Sequence, residues 1–146
     1  MAYSDANWEN CVDERKNTSG GAFFLGDSLV AWLSKKQSSI SFSTTEVEYI
    51  AAATYCTHVL WMIQTLADLE VKYSKPIPIQ CDSTSFISVS KNIVLHSKTK
   101  HIPIKYHFLR EQVINRVVQL NFIPSTEKIA DIFTKPLPKA QFEYLL

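Results

Sequence analysis

Short apolar runs in the first third of the chain predict β-strands. Residues 22–25 and 29–33 are such runs, and Gly26, Asp27 and Ser28 separate them. Gly-Asp at this place indicates a hairpin, because glycine accepts the positive φ that tight hairpin turns require. We expect a first strand over residues 2–8, and the polar residues 9–19 as its connection to the hairpin.

The middle of the chain predicts a long helix. Residues 47–69 include no glycine or proline and are apolar on nearly every side. A helix of this kind is expected to be enclosed by the rest of the fold. Ser43 and Glu46 fit a capping box at its start, with Ser43 as the N-cap residue.

The second half of the chain predicts alternating strands and helices. In order, we expect a strand over residues 77–82, a short helix, a helix from about Pro103, a strand over residues 117–123 and a helix from near Ser125. The sequence contains no internal repeat and no linker, so residues 1–146 are expected to form one α/β domain.

Composition excludes several classes of protein. The chain has 146 residues, 46% of them hydrophobic, and no apolar run approaches the roughly 20 residues that span a bilayer. The N-terminus lacks the basic and then apolar pattern of a signal peptide, so secretion is not expected. Cys11, Cys56 and Cys81 are odd in number and far apart, which indicates reduced thiols in an intracellular protein.

The net charge of +1 indicates no particular partner, but the charges are unevenly placed. No acidic residue lies between Asp82 and Glu111. The same interval contains the basic residues Lys91, Lys98, Lys100, Lys105 and Arg110, together with His96, His101 and His107. Such a stretch suits contact with phosphates, and an ordinary solvated surface is an equally open interpretation.

Four acidic residues stand where strands end or helices begin, and such positions can converge on one edge of a sheet. They are Asp5, Glu48, Asp82 and Asp131. At about 4 Å and an effective dielectric of about 20, each ionised pair would repel by roughly 4 kcal/mol. Divalent cations would neutralise them, and an oxygen-only ligand set favours Mg²⁺ or Mn²⁺. Two such ions can activate a water and stabilise the leaving oxygen of a phosphodiester.

Three of these acids also have a simpler interpretation. Asp5 can be a polar residue near a strand end, Asp82 can cap the helix that follows it, and Asp131 can pair with Lys135 four residues on. Taken singly, these interpretations are the more common ones. The metal-site hypothesis therefore depends on the acids acting together.

Two glutamates compete for the helical position of this site. Glu46 belongs to the capping box, whereas Glu48 shares a helix face with Ala51, Ala52 and Tyr55. Because small alanines let a helix approach a sheet closely, we expect Glu48 to reach the acids on the strands.

Seven segments, in the same order along nearly the whole chain, form a recognisable set of motifs: residues 3–8, 13–20, 34–37, 43–49, 81–82, 100–102 and 130–135. Together they resemble the ribonuclease H domain of copia-type LTR retrotransposon polyproteins, in particular the plant members. The resemblance implies a ribonuclease H-like, five-stranded mixed sheet, with the first three strands antiparallel and helices on both faces. It also implies that Asp5, Glu48, Asp82 and Asp131 hold two Mg²⁺ ions.

In this family the enzyme hydrolyses the RNA strand of RNA/DNA hybrids during reverse transcription. The resemblance therefore implies a ribonuclease H with Mg²⁺ as cofactor and with the reverse transcriptase and integrase regions of a parent polyprotein as partners. It implies a cytoplasmic location within the virus-like particle of a retroelement. The residues expected to contact the hybrid are Arg15, Lys35, Lys36, Ser83, Thr84, Lys91, Lys98, Lys100 and Lys105.

The chain departs from the family pattern at a few positions, and other functions stay open. Ser83 and Thr84 stand where Asn-Gln is usual, and the loop at residues 124–126 contains no histidine. One alternative is a catalytically degenerate remnant that only binds nucleic acid or serves a structural role. Another is a transposase or integrase core, but such cores use three acids and none that corresponds to Glu48.

Overall fold

The five strands in the described part of the chain form one mixed sheet. The structure is a computed structural model, and it describes residues 1–7, 17–37, 44–91 and 104–146. The strands are β1 (Ala2–Asn7), β2 (Thr18–Leu25), β3 (Ser28–Lys36), β4 (Ile77–Cys81) and β5 (Val118–Phe122). Their order is β3-β2-β1-β4-β5. Strand β2 is antiparallel to β1 and β3, and β4 is parallel to β1 and β5.

Helices cover both faces of this sheet. In the described residues the helices are α1 (Thr44–Asp68), α2 (Thr84–Lys91), α3 (Ile104–Ile114), α4 (Lys139–Leu145) and two 3-10 helices, Ser125–Glu127 and Ile129–Phe133. Helix α1 packs on β1 and β2 and contacts α2 and α3, and the second 3-10 helix packs on the same two strands. The expected five-stranded mixed sheet, with its first three strands antiparallel, is confirmed.

Strand β2 begins at Thr18, earlier than its apolar run predicted, because two glycines extend it without adding hydrophobic side chains. A Cβ on Gly20 would lie 2.5 Å from Thr134 Cγ2, and a Cβ on Gly21 would lie 2.5 Å from Tyr55 Cε1 of α1. Successive strand residues point to opposite faces, so α1 and residues 125–134, which we call the C-terminal segment, pack on opposite sides of the sheet. At both glycines the neighbouring segment therefore packs directly against the backbone of β2.

The hairpin between β2 and β3 forms as predicted. Gly26 has φ of +60°, and the turn places Leu25 opposite Ser28. The strands themselves run further than the apolar pattern indicated, since β3 extends through the polar residues Ser34, Lys35 and Lys36. These residues stay in the ladder because β3 pairs with β2 as far as Thr18.

Full burial in α1 does not extend over the whole helix, which corrects the expectation that the helix is enclosed throughout. Its buried residues end at Val59, whereas Trp61 is 67% exposed. A helix of 25 residues is about 37 Å long, whereas the 6 residues of β1 span roughly 20 Å. The helix therefore extends past the sheet. Ser43, the predicted N-cap, lies outside the described residues.

The predicted helix from Ser125 is wrong in type. Two 3-10 helices occupy this region, and the backbone of Lys128 is extended between them, with φ of −84° and ψ of 95°. Pro136 and Pro138 follow, and α4 begins only after Pro138. A proline lacks the N–H that helix continuation needs and restricts the residue before it. No helix in the described ranges has the length and apolarity needed to cross a membrane.

Candidate metal centre

Two of the predicted acids meet because β1 and β4 are parallel neighbours. The register pairs Ala2 with Ile79 and Tyr3 with Gln80. Continuing it by two residues places Asp5 beside Asp82, which directly follows the last residue of β4. The carboxyl ends of parallel strands meet at the same edge of a sheet, so the two side chains share that edge.

Glu48 joins them from the first turns of α1. Ala51 and Ala52 are fully buried where the helix packs on the sheet, as the sequence indicated, and the Ala6 backbone forms a hydrogen bond to the Glu48 carboxyl group. One oxygen each from Asp5, Glu48 and Asp82 lies within 4.8 Å of the other two. We refer to these three residues as the carboxylate cluster.

Asp131 lies next to this cluster but not in it. It is 2% exposed on the Ile129–Phe133 helix, and its carboxyl group adjoins that of Asp5. Its Oδ2 atom is 2.8 Å from Lys135 Nζ, so the predicted simpler role, an ion pair with the residue four positions on, is present. The structure therefore brings Asp131 beside the predicted site and also gives it a partner of its own.

A buried lysine occupies the space among the three carboxylates. Lys128 is fully buried, and its Nζ atom is 2.5 Å from Asp5 Oδ1 and 2.5 Å from Asp82 Oδ1. The same atom is 3.8 Å from Glu48 Oε1. Burial by itself would lower the pKa of this ammonium, but Glu48, Asp5 and Asp82 raise it above its ordinary value. Lys128 is thus charged and holds the cluster together.

Hydroxyl groups from the same C-terminal segment bind the other oxygens of the two aspartates. Ser125 Oγ donates to Asp82 Oδ2 at 2.9 Å, and the Thr134 hydroxyl donates to Asp5 Oδ2. Sequence reasoning missed Lys128, Ser125 and Thr134 as members of this site. Their residue types are common in loops, and only the packing of residues 125–134 onto β1 reveals their role.

Different surroundings give the acids different proton affinities. Burial would raise the pKa of Asp5, but the Lys128 ammonium and the Thr134 hydroxyl hold it below its ordinary value. Burial, with repulsion from Asp5 and Asp82, raises the pKa of Glu48 to about 8, and Lys128 opposes this only in part. Burial and the adjacent Asp5 raise the pKa of Asp131 to about 6.

The residues present fit a hard divalent cation. The cluster offers oxygen donors only, which suits Mg²⁺ or Mn²⁺. Within the described residues, Glu48 Oε2 is buried and has no hydrogen-bond partner. A buried polar atom without a partner is costly, and a cation would satisfy it. A cation would also favour the ionised form of Glu48, because metal ligands bind deprotonated.

Some of the residues predicted to contact nucleic acid surround this edge of the sheet. Asp5, Gly20 and Ser34 are paired across β1, β2 and β3, and the exposed Lys35 and Lys36 follow on β3. Strands are about 4.8 Å apart, so Lys35 and Lys36 lie two strands, or roughly 10 Å, from β1. Both lysines are therefore at the same end of the sheet as the carboxylate cluster, with their side chains on opposite faces because they are successive residues of one strand.

Helix α2 contributes three further predicted contacts, with different local roles. Ser83 Oγ accepts a hydrogen bond of 3.2 Å from the Phe86 backbone N–H and so caps the helix. Thr84 is exposed at its start, and Lys91 is exposed at its end. The predictions for Arg15, Lys98 and Lys100, and for the side chain of Lys105, lie outside what the structure describes.

Comparisons with known proteins agree with the sequence motifs. The chain is 37% identical over 141 residues to the retrovirus-related Pol polyprotein from transposon TNT 1-94 of Nicotiana tabacum. It is 35% identical over 142 residues to that from transposon RE1 of Arabidopsis thaliana. Each alignment covers 97% of this chain and 10% of the relative, so the chain spans a tenth of the length of these polyproteins. No family model matches the chain.

A solved structure supports the fold. Ribonuclease H1 from the halophilic archaeon Halobacterium salinarum NRC-1 superposes with a TM-score of 0.52 at 17% identity, over 91% of this chain and 92% of that one. The resemblance indicated by the motifs is confirmed: the chain is homologous to a part of the retrovirus-related Pol polyproteins of plant transposons, and its fold is ribonuclease H-like.

Proposed function

We propose that this chain is a ribonuclease H that hydrolyses the RNA strand of RNA/DNA hybrids with the help of Mg²⁺. The observation that carries the proposal is the meeting of three carboxylates from β1, α1 and the end of β4 within 4.8 Å. These residues are far apart in sequence, and burying them together is costly unless a cation or another positive group is present.

The proposed site holds two ions through Asp5, Glu48, Asp82 and the adjoining Asp131. When bound, such ions supply an activated water and stabilise the leaving oxygen of the cleaved phosphodiester; Mn²⁺ can replace Mg²⁺. The chain's part is to position the carboxylates. Helix α1 brings Glu48 to the sheet through its buried alanines, and the pairing of β1 with β4 aligns the two aspartates.

The exposed basic residues suit the backbone of a hybrid duplex. A-form-like duplexes are recognised by shape, by 2′-hydroxyls and by phosphates, so little base specificity is expected. Lys35 and Lys36 on β3 lie on one side of the carboxylate cluster, and Thr84 lies where α2 begins, directly after Asp82 and Ser83. A duplex bound across this edge would place its phosphates near the cluster.

The proposal is tested with a labelled RNA/DNA hybrid incubated with Mg²⁺. We expect cleavage of the RNA strand by the wild-type chain and its loss in Asp82→Asn, which keeps the shape of the side chain but removes its charge. Asp68→Asn is the matched control, because Asp68 is exposed at the far end of α1, where it accepts a hydrogen bond from Gln64 of the same helix. Intact hybrid after incubation with the wild-type chain and Mg²⁺ or Mn²⁺ would reject the activity.

A second function, nucleic-acid binding without catalysis, is favoured by one observation. Lys128 already places a positive charge among the three carboxyl groups, as a permanent structural ion pair would. A hybrid that binds with the same affinity in EDTA and in Mg²⁺, and that is never cut, would select this function.

The proposed setting of the activity is a polyprotein. The two plant relatives are Pol polyproteins about ten times longer than this chain. We propose that reverse transcriptase and integrase regions accompany it, and that it acts in a cytoplasmic virus-like particle. Fractionation of cells that express the full polyprotein, with detection of this chain among particle proteins, tests both points.

A further inference from the structure

The Lys128 ammonium lies in the space that a cation bound to the carboxylate cluster would need. Its Nζ atom contacts Asp5 Oδ1 and Asp82 Oδ1 at 2.5 Å each and is 3.8 Å from Glu48 Oε1. A Mg²⁺ ion binds carboxylate oxygens at about 2.0–2.1 Å and would approach the same oxygens from the same side. The ammonium and the ion cannot share these oxygens at such distances, because their charges repel.

The ion pairs of Lys128 differ from ordinary surface ion pairs in their burial. Its side chain is fully buried, and the side chains of Asp5, Glu48 and Asp82 are 5%, 10% and 22% exposed. Surface pairs contribute little, but a buried charge without a partner is strongly unfavourable. The cluster therefore needs a positive charge at this point whenever the protein is folded, and in the absence of an ion the chain supplies it.

Lys128 can leave this place without disturbing a regular helix. It lies between the two 3-10 helices, and its backbone is extended. The Asp131 N–H donates a hydrogen bond of 3.1 Å to the Lys128 carbonyl, which connects that carbonyl to the next turn. A lysine side chain has a flexible four-carbon stem, so its ammonium can move while the backbone stays. Asp82, the most exposed of the three acids, marks the side that is open to solvent.

We propose that Lys128 is a built-in counter-ion of the carboxylate cluster, and that a divalent cation binds there by displacing its ammonium. The side chain then acts as a competitor that sets the cation affinity of the site. This inference rests on the proposed function, since it assumes that the cluster binds Mg²⁺ or Mn²⁺. It adds that Lys128 offsets part of the negative charge of the cluster when no cation is bound.

The test compares cation affinity in Lys128→Met and in the wild-type chain. Methionine removes the charge and keeps an unbranched side chain of similar length. We expect Mn²⁺, measured by isothermal titration calorimetry and by loss of the free Mn²⁺ electron-spin resonance signal, to bind Lys128→Met at least about tenfold more tightly. Lys139→Met is the matched control, because Lys139 is 88% exposed on α4, and its affinity should equal that of the wild type.

Amine labelling provides a second measurement that does not depend on a variant. Acetylation by a water-soluble ester, followed by mass spectrometry, should leave Lys128 unmodified in EDTA and should modify it in saturating Mg²⁺. Lys139 should react equally in both conditions. Protection of Lys128 in the presence of bound Mn²⁺ or Mg²⁺ would mean that the ion binds beside the ammonium, which overturns the displacement.

The outcomes separate this inference from the proposed function. Equal Mn²⁺ affinity in the wild type and in Lys128→Met overturns the inference alone, because the site then binds cations without competition. Absence of Mn²⁺ binding in both overturns the inference and the metal-dependent function together. Lys128→Gln, which restores hydrogen-bonding capacity without charge, replaces Lys128→Met if the latter does not fold in EDTA, and the same affinity gain is expected.

Discussion

Neighbouring carboxyl groups in this protein differ because each has different partners. Asp5 has an ammonium and a hydroxyl donor, and these keep its pKa low in spite of burial. Asp131 lies against Asp5, and burial together with this negative neighbour raises its pKa to about 6. Two acids in contact thus take opposite shifts, which is the arrangement expected where carboxyl groups share a site.

The hydroxyl of Thr134 should contribute measurably to stability. It donates to the buried Asp5 carboxylate, and valine has the same shape without the donor. We expect Thr134→Val to lower the free energy of unfolding by about 1.5–3 kcal/mol, the range for hydrogen bonds to charged groups. Urea denaturation measures the change. Thr57→Val is the control: Thr57 is exposed and its hydroxyl donates to Ala53 O within α1, so an equally large destabilisation there would contradict the prediction.

The buried thiol of Cys56 should resist alkylation in the folded protein. Burial raises its pKa to about 12, far above the ordinary value. The reactive thiolate is therefore scarce below that pH, whereas an exposed cysteine is about half ionised near pH 8.5. At a pH of about 8.5, iodoacetamide should leave Cys56 unmodified in the native state and modify it fully in guanidinium. Rapid native-state labelling, detected by peptide mass spectrometry, would be inconsistent with the burial described.

The elements that carry the site are held close together because two of them pack directly on the backbone of β2. Strand β2 carries no side chain at Gly20 or Gly21, so α1 and the C-terminal segment each come close to it from opposite faces. Trp32 of β3 stacks on Phe133 at 5.3 Å, and Ser34 Oγ donates to Phe133 O at 2.6 Å. The segment that carries Lys128 and Asp131 is thereby fastened to the sheet.

This close packing predicts a strong effect of a single methyl group. In Gly21→Ala the new Cβ would meet the buried Tyr55 ring at 2.5 Å, so ring or strand must move. We expect the free energy of unfolding to fall by about 1–3 kcal/mol. Gly26→Asn is the control, since Gly26 has φ of +60° and no atom within 4 Å of an added Cβ, and asparagine accepts that φ. Equal destabilisation of the two variants would refute the packing argument.

The chain as a whole combines a nearly neutral net charge with two exposed lysines at one end of the sheet. Its net charge is +1, so general attraction to nucleic acid is weak. The exposed Lys35 and Lys36, on the strand register that continues from Asp5, place two positive charges at the same end of the sheet as the carboxylate cluster. Binding should therefore depend on this end of the sheet more than on the protein's total charge.

The salt dependence of hybrid binding should show whether Lys35 and Lys36 contact the phosphates. Replacing Lys35 and Lys36 together by glutamine should weaken hybrid binding, and the slope of log K against log salt should fall by about one for each phosphate that the variant no longer neutralises. Fluorescence anisotropy with a labelled RNA/DNA hybrid in EDTA measures the slope without cleavage. Lys139→Gln, at an exposed lysine on α4, is the control and should leave the slope unchanged. An unchanged slope in the double variant would place the hybrid elsewhere.

Much of this architecture is predictable from local sequence. Periodicity and turn chemistry identify the β2–β3 hairpin, α1 and the strand that ends before Asp82, because each depends on neighbours in the chain. The preference for Glu48 over Glu46 also follows from spacing alone, since the helical period puts Glu48 on the face with the alanines. The motifs, in turn, indicate the family.

Other features have no local signal. Three features depend on what packs against them: the extension of β2 back to Thr18, the loss of full burial in α1 after Val59, and the 3-10 helices around Lys128. Nothing in the local sequence distinguishes Lys128 from the other lysines. Only the tertiary fold brings it into contact with Asp5 and Asp82, which are 123 and 46 positions away. Local residue types specify which elements form. Which charges must share a buried space is decided by long-range contacts, because the cost of burial exists only once the chain has folded.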